Sequence, residues 1–337
     1  MQRIARPLAQ LGVTPNNLLP VKTTLNNPEQ LNYGESIIKY NAGPSVHHIK
    51  MRNFKIMQST KNILLPGTDN KPMALDIFFE NDLEQKPVVI YVHGFNGFKD
   101  WGNFDLIAKE FSTAGYVFVK FNFSHNGTTT LHPEEFADLE AFGNNNYSKE
   151  LNDLRLVIDW VCDPSNAYQQ VIDSNHICLM GHSMGGGIAI LQAAKDKRIN
   201  KLITWAGISE CKTPWGNWSA EILQQWEKTG VQYYTNSRTK QQMPLYYQLY
   251  QDYTQNQEKL NICKAIKSLD IDILICHGTA DNAVPVEKAF ELKSCQPSAQ
   301  LFTVESDHVF GRKHPWPTKD LPAAMEAVVE ASLQFLK

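Results

Sequence analysis

The stretch His176-Ile-Cys-Leu-Met-Gly-His-Ser-Met-Gly-Gly-Gly-Ile-Ala-Ile-Leu-Gln-Ala-Ala194 decides the fold. Its first five residues, HICLM, form a short apolar run of strand length. Gly181-His182-Ser183-Met184-Gly185 then places a serine between two glycines, and IAILQAA continues as a helix. A serine on a tight strand-to-helix turn needs small residues two positions away on either side so that the turn can close. At average Gly and Ser usage about one chain in ten of this length carries GxSxG by chance. The strand before it and the helix after it argue against chance, so Ser183 is the candidate nucleophile. The amide of Met184 then opens a helix whose N-terminus faces developing negative charge.

Working outward, strand-like runs recur on both sides. They are Pro87–Val92 (PVVIYV), Tyr116–Phe121, Lys201–Ala206, Ile271–Cys276 and Gln300–Val304. The continuous apolar run PVVIYV indicates a strand covered on both faces. Two shorter strands are expected at Asn53–Met57 and Met73–Phe79, with a turn at Pro66–Gly67. Helical spacing appears at 104–114, 148–161 with Ser148 as N-cap, 184–195, 286–293 and 320–336. Strands alternating with helices give an α/β architecture: a mostly parallel sheet with helices on both faces.

Three further motifs follow strand ends. His93-Gly94-Phe95-Asn96-Gly97 follows PVVIYV, and the Phe95 amide there is a candidate second oxyanion donor. His93 is read as a structural residue bonding that loop. His277-Gly278-Thr279-Ala280-Asp281 follows IDILIC, and Asp281 is the candidate acid at the strand edge where sites form in open sheets. The competing reading of Asp281-Asn282 is an Asx turn. Glu305-Ser306-Asp307-His308 follows QLFTV. His308 is the candidate base, since imidazole titrates near neutrality, with His314 as its rival. Chain order favours His308: nucleophile, acid, then histidine after the last strand. Asp307 ranks below Asp281 because neighbouring side chains diverge.

On the residues HGFNGFKDWG (93–102), FNFSHNG (121–127), GHSMGG (181–186), HGTADNAVP (277–285) and ESDHVFG (305–311), the chain resembles the α/β-hydrolase superfamily. Within it the chain is similar to single-domain serine esterases of the dienelactone-hydrolase and cinnamoyl (feruloyl) esterase kind. The resemblance spans about residues 51–337. It implies Ser183 as nucleophile, His308 as base, Asp281 as acid, and the Phe95 and Met184 amides as oxyanion hole. No cofactor or metal is implied. FNFSHNG departs from the more usual loop at that place, and Ser183 stands where dienelactone hydrolases carry cysteine.

Residues 207–262 interrupt the alternation and hold three of the seven Trp and six of the twelve Tyr. A long insertion in a compact domain is usually functional. It is read as a helical cap, with Trp215, Trp218, Tyr233 and Tyr246 as candidate substrate-binding residues. The equal competitor is plain packing of the cap against the core. Residues 1–50, rich in Asn and Pro, are read as an irregular arm ahead of a domain at 51–337.

The chain has 337 residues and a net charge of −3, which offers no field for nucleic acid. No apolar run is long enough to span a membrane, and the N-terminus lacks the apolar core of a signal peptide. The six cysteines (Cys162, Cys178, Cys211, Cys263, Cys276 and Cys295) form no CxxC pair and read as reduced thiols. These points lead to an expected cytoplasmic location, and the motifs with the resemblance imply a small-molecule ester handled through an acyl-enzyme. Peptidase, thioesterase or lipase activity on the same fold, and a non-catalytic binding protein, are the competing readings. Oligomeric state is not legible.

Overall fold

The computed structural model describes residues 37–42, 45–50, 56–82 and 84–337. Contacts divide the chain at Ile56 into two units. In the first, β1 (Ile37–Ala42) pairs antiparallel with β2 (Ser45–Lys50). The stretch expected to be irregular therefore contains a hairpin at its end, and residues 1–36 lie outside the described ones.

The second unit carries an eight-stranded sheet. Its strands are β3 (Ile56–Pro66), β4 (Pro72–Asn81), β5 (Lys86–Val92), β6 (Val117–Phe121), β7 (Ile172–His182), β8 (Ile199–Trp205), β11 (Asp272–Gly278) and β12 (Gln300–Val304). Their order is β12-β11-β8-β7-β5-β6-β4-β3. From β6 to β12 the neighbours run parallel, and β4 is antiparallel to β6. This is the mostly parallel α/β sheet that the apolar runs implied, and it agrees with the α/β-hydrolase fold that the resemblance implied.

Side chains alternate across it with the period of two that strands impose. Val88, Ile90 and Val92 pack on one side with helices α3 (Tyr147–Cys162) and α4 (Met184–Ala193). Val89 and Tyr91 pack on the other with α1 (Phe104–Thr113) and α9 (Ala323–Leu336). Helix α4 is buried along its whole length, so its sequence carries no polar face. Among the described residues no helix is long and apolar enough to cross a membrane.

Helix α3 begins earlier than expected. Its cap is Asn146, whose side chain accepts from the Lys149 amide at 2.9 Å. Ser148 instead donates to Asp252 at 2.5 Å, joining α3 to the inserted segment.

That segment is not purely helical. After a short turn at Trp215–Asn217 come α5 (Ala220–Thr229), β9 (Val231–Thr235), β10 (Gln242–Tyr246) and α6 (Gln248–Gln255), then α7 (Ile262–Lys267). Gly230 ends α5 in the left-handed region (φ 75°) and turns the chain into the β9–β10 ribbon. The ribbon packs on α2 (Leu139–Gly143), where the Tyr246 hydroxyl donates to Glu140 at 2.5 Å.

The cysteine expectation needs correction. Cys263 on α7 and Cys295 on α8 (Glu287–Cys295) form a disulfide, their Cα atoms 5.5 Å apart. Two packed helices bring them together across 32 residues of sequence, which no local spacing announces. Cys162, Cys178, Cys211 and Cys276 are free. The reduced thiols that supported a cytoplasmic location are therefore four, not six.

Candidate active site

Each motif singled out from the sequence sits just past the carboxyl end of a parallel strand, on one edge of the sheet. Ser183 follows β7 with φ 57° and ψ −122°. For a residue with a Cβ this backbone costs on the order of 1–3 kcal/mol and persists only where its surroundings enforce it. Here they do. The Ser183 amide donates to Trp205 O at 2.9 Å, and Ser183 O accepts from Gly186 and Ile208. A Cβ on Gly181 would lie 2.2 Å from Gly185 O, and one on Gly185 would lie 2.3 Å from Val92 O. Both flanking glycines are therefore required by close packing, as the GxSxG pattern implied.

Asp281 and His308 meet across the loops after β11 and β12. His308 Nδ1 lies 2.7 Å from Asp281 Oδ2. The other Asp281 oxygen accepts from the Ala283 and Val284 amides, each at 2.8 Å. The Asx turn and the histidine contact thus coexist, one on each oxygen. Burial by itself would push the Asp281 carboxyl up. Hydrogen bonds from His277 and His308 and the Val284 amide outweigh it and hold the group below the usual carboxylate range. An ionised Asp281 keeps the proton of His308 on Nδ1 and leaves Nε2 as the basic nitrogen.

Two further histidines, not singled out as functional, brace this pair. His277 Nε2 lies 2.8 Å from Val284 O and 3.3 Å from Asp281 Oδ2, so it donates to both acceptors. His182 Nε2 donates to the backbone oxygen of His308 at 2.9 Å. His314, the rival base, is elsewhere: its Nδ1 accepts from the Gly102 amide at 2.9 Å, beside Phe98 and Trp101. Arg312 holds the base loop by donating Nε–H to Val309 O at 2.8 Å, its guanidinium over the Phe104 ring.

The loop after β5 lies directly against the serine. A Cβ on Gly94 would be 2.9 Å from Ser183 Cβ. The Gly94 oxygen accepts from the Gly97 amide at 2.9 Å and from His93 Nδ1 at 3.0 Å. In a trans peptide the N–H points opposite to the C=O, so these two bonds constrain the direction of the Phe95 N–H. His93 Nε2 in turn accepts from the Phe123 amide and from Asn126 Nδ2, both at 3.3 Å. Burial lowers His93 to about 4, keeping it neutral in this tautomer. His93 is thus a structural residue of the loop.

The unusual FNFSHNG loop is explained by the same network. Asn122 Oδ1 accepts from the Lys99 amide at 2.7 Å, and Ser124 donates to buried Asp153 at 2.7 Å. Lys99 is further anchored by Asp76 at 2.8 Å, and Lys120 lies 3.1 Å from the same oxygen. Asp76, Asp100 and Asp105 bring ligand-type oxygens within 4.8 Å of one another, but the Lys99 and Lys120 ammoniums sit among them. The donor set is therefore that of a buried ion-pair network that anchors the 93–102 loop.

The four expected substrate-binding residues pack within the inserted segment and against neighbouring helices rather than lining one shared pocket beside Ser183. Trp215 is buried against Tyr147, Trp226, Tyr250 and Tyr253. Trp218 packs on Trp226, and Tyr246 covers Gly143. Tyr233 is 58% exposed. Tyr234 of the inserted segment reaches the loop after β5, its ring 5.8 Å from that of Phe95.

The family described as BD-FAE matches residues 75–295, which include the His93–Gly97 loop, Ser183 and Asp281. The chain belongs to the BD-FAE family. None of the curated proteins compared with this α/β hydrolase matches it. Similar solved structures include a putative hydrolase from Agrobacterium vitis, at 16% identity and TM-score 0.61, covering 84% of this chain and 100% of that one. Est1E from Butyrivibrio proteoclasticus, at 18% identity and TM-score 0.58, covers 82% and 98%. The α/β hydrolase GrgF from a Penicillium species, at 16% identity and TM-score 0.59, covers 84% and 98%. At these identities the structural likeness shows the fold.

Proposed function

We propose that this BD-FAE-family α/β hydrolase is a serine carboxylesterase acting on small to medium acyl or aryl esters. The observation that carries the reading is the strained Ser183 turn flanked by loops that hold His308 hydrogen-bonded to Asp281. Family membership supports it, as does the structural neighbour Est1E, which has been solved with ferulic acid bound.

In this mechanism Ser183 Oγ attacks the acyl carbon and its proton passes to His308 Nε2. Asp281 orients the ring and stabilises the imidazolium. The Phe95 and Met184 amides bind the oxyanion, each worth about 3–4 kcal/mol. Collapse breaks the ester bond, and His308 returns its proton to the leaving alcohol or phenol. Water then attacks the acyl-enzyme, again giving a proton to His308. The acid departs, and the proton goes back to Ser183 Oγ.

The test is hydrolysis of p-nitrophenyl esters from acetate to decanoate, and of methyl ferulate, by wild type and Ser183→Ala. Turnover that requires Ser183 supports the reading. Absence of turnover on every ester, or equal rates in both proteins, overturns it and favours peptide or thioester substrates.

A further inference from the structure

We propose that Tyr234, on the cap ribbon, is a positioning residue for the Phe95 amide and acts on it through Asn96. This rests on the esterase reading and adds to it a mechanical link between the cap and the oxyanion loop.

Asn96 is the third residue of the Gly94–Gly97 turn, which is closed by one backbone bond at 2.9 Å. Its φ is 59°, a left-handed conformation that Asn tolerates better than most residues but that still carries a cost. The Tyr234 hydroxyl donates to Asn96 Oδ1 across 138 residues of sequence. Burial pushes the Tyr234 phenol up, so it remains an O–H donor throughout the neutral range. The same ring packs on Phe95, and Phe142 closes the triangle, with centroids 5.6 Å from Phe95 and 6.5 Å from Tyr234. The cap thus grips the side chains of residues 95 and 96, while His93 and Gly97 hold the carbonyl of residue 94.

The ribbon makes this grip specific to Tyr234. Tyr234 is half-buried with its ring against Phe95, whereas the adjacent Tyr233 is exposed and faces the other side of the ribbon. Without the phenol bond, the strained turn has one fewer constraint and the Phe95 N–H can swing from the oxyanion position. Misplacement on the scale of 1 Å costs up to about 100-fold in rate, so loss of one of several constraints is expected near 10-fold.

The experiment compares wild type, Tyr234→Phe, Asn96→Ala and the double variant with p-nitrophenyl butyrate, alongside hydrogen exchange of the peptide covering 93–98. Tyr234→Phe keeps the ring and removes only the hydroxyl. The expected result is kcat lower by about 10-fold with KM within about twofold, and faster exchange confined to 93–98. The double variant is expected to be no slower than Asn96→Ala, because both changes break one link. Unchanged kcat in an active enzyme, unchanged exchange at 93–98, or additive losses would overturn the proposal. Wild type lacking Ser183-dependent turnover would overturn the esterase reading itself, and the catalytic role with it. Exchange at 93–98 reads the Tyr234–Asn96 link independently of turnover.

Discussion

His182 donates its Nε2 proton to the backbone oxygen of His308, 2.9 Å away. This one bond ties the residue before Ser183 to the residue expected to deprotonate it. Burial pulls His182 well below its ordinary value, and the neighbouring His308 adds to the effect, so its ring stays neutral. His182→Ala is expected to lower kcat by about 10-fold through a displaced base loop. His182→Gln, which keeps a donor, is expected to lose less. Equal losses in the two variants would show that the bond does not position the base.

Removing the Asp281 carboxylate is expected to be far more damaging. Asp281→Asn cannot hold the Nδ1 proton in the same way and is expected to cost up to about 10⁴-fold in kcat with the fold intact. Circular dichroism and ester turnover on the same sample check this. Unchanged turnover would transfer the acid role to another carboxylate, with Asp307 the nearest in sequence.

The two histidines of the last loop should behave differently. His308→Ala is expected to abolish nearly all turnover. His314→Ala, which loses a contact with the Gly102 amide, is expected to stay within about 10-fold of wild type. The reverse ranking would exchange their roles.

Glu150 makes stability fall as pH rises through the acid-to-neutral range. It is buried on α3, and burial, reinforced by Asp153, pushes its carboxyl up to about 8 against a bond from Asn145. A folded value raised above the unfolded one contributes stability below the unfolded value, and this is lost as pH rises through the folded value. The window is therefore from about 4.5 to about 8. Wild-type Tm is expected to fall across that range, and Glu150→Gln to remove the fall, standing several degrees above wild type at pH 9. Parallel Tm–pH curves would contradict this assignment.

Asp100 sets the acid limit with the opposite sign. Burial would raise its carboxyl, but Lys120 and Lys99 hold it down at about 2. A lowered folded value contributes stability above the unfolded value, here 3.8, and loses it as pH falls towards 2. Asp100→Asn is expected to be less stable at pH 6 and to lose less Tm per pH unit below 4. Equal acid slopes would show that the pair contributes nothing there.

Much of this arrangement was legible in the sequence because it is local. Strands such as PVVIYV announce themselves by composition, and Ser183, Asp281 and His308 each sit a few residues past a recognisable strand end. What was not legible depends on contacts between distant segments. FNFSHNG looked anomalous because the partners of Asn122, Ser124 and Asn126 (Lys99, Asp153 and His93) are 23 to 33 residues away. Nothing local pairs Cys263 with Cys295. The choice between Tyr233 and Tyr234 turns on strand register, because adjacent residues face opposite sides and a shift of one position exchanges them. Trp215 and Trp218 drew attention as aromatic residues, yet their ring partners are other aromatic residues around the cap.

The central claim is that Ser183 is the nucleophile, and the most direct measurement is covalent capture. A p-nitrophenyl alkylphosphonate should transfer its phosphonyl group to the Ser183 oxygen and release p-nitrophenolate. The expected result is one adduct per chain by intact mass, mapped to the peptide holding Ser183, with turnover lost in proportion. Adduct formation should be slowed strongly in His308→Ala and absent at that peptide in Ser183→Ala. An adduct on a different residue, or full ester turnover after complete labelling of Ser183, would contradict the account.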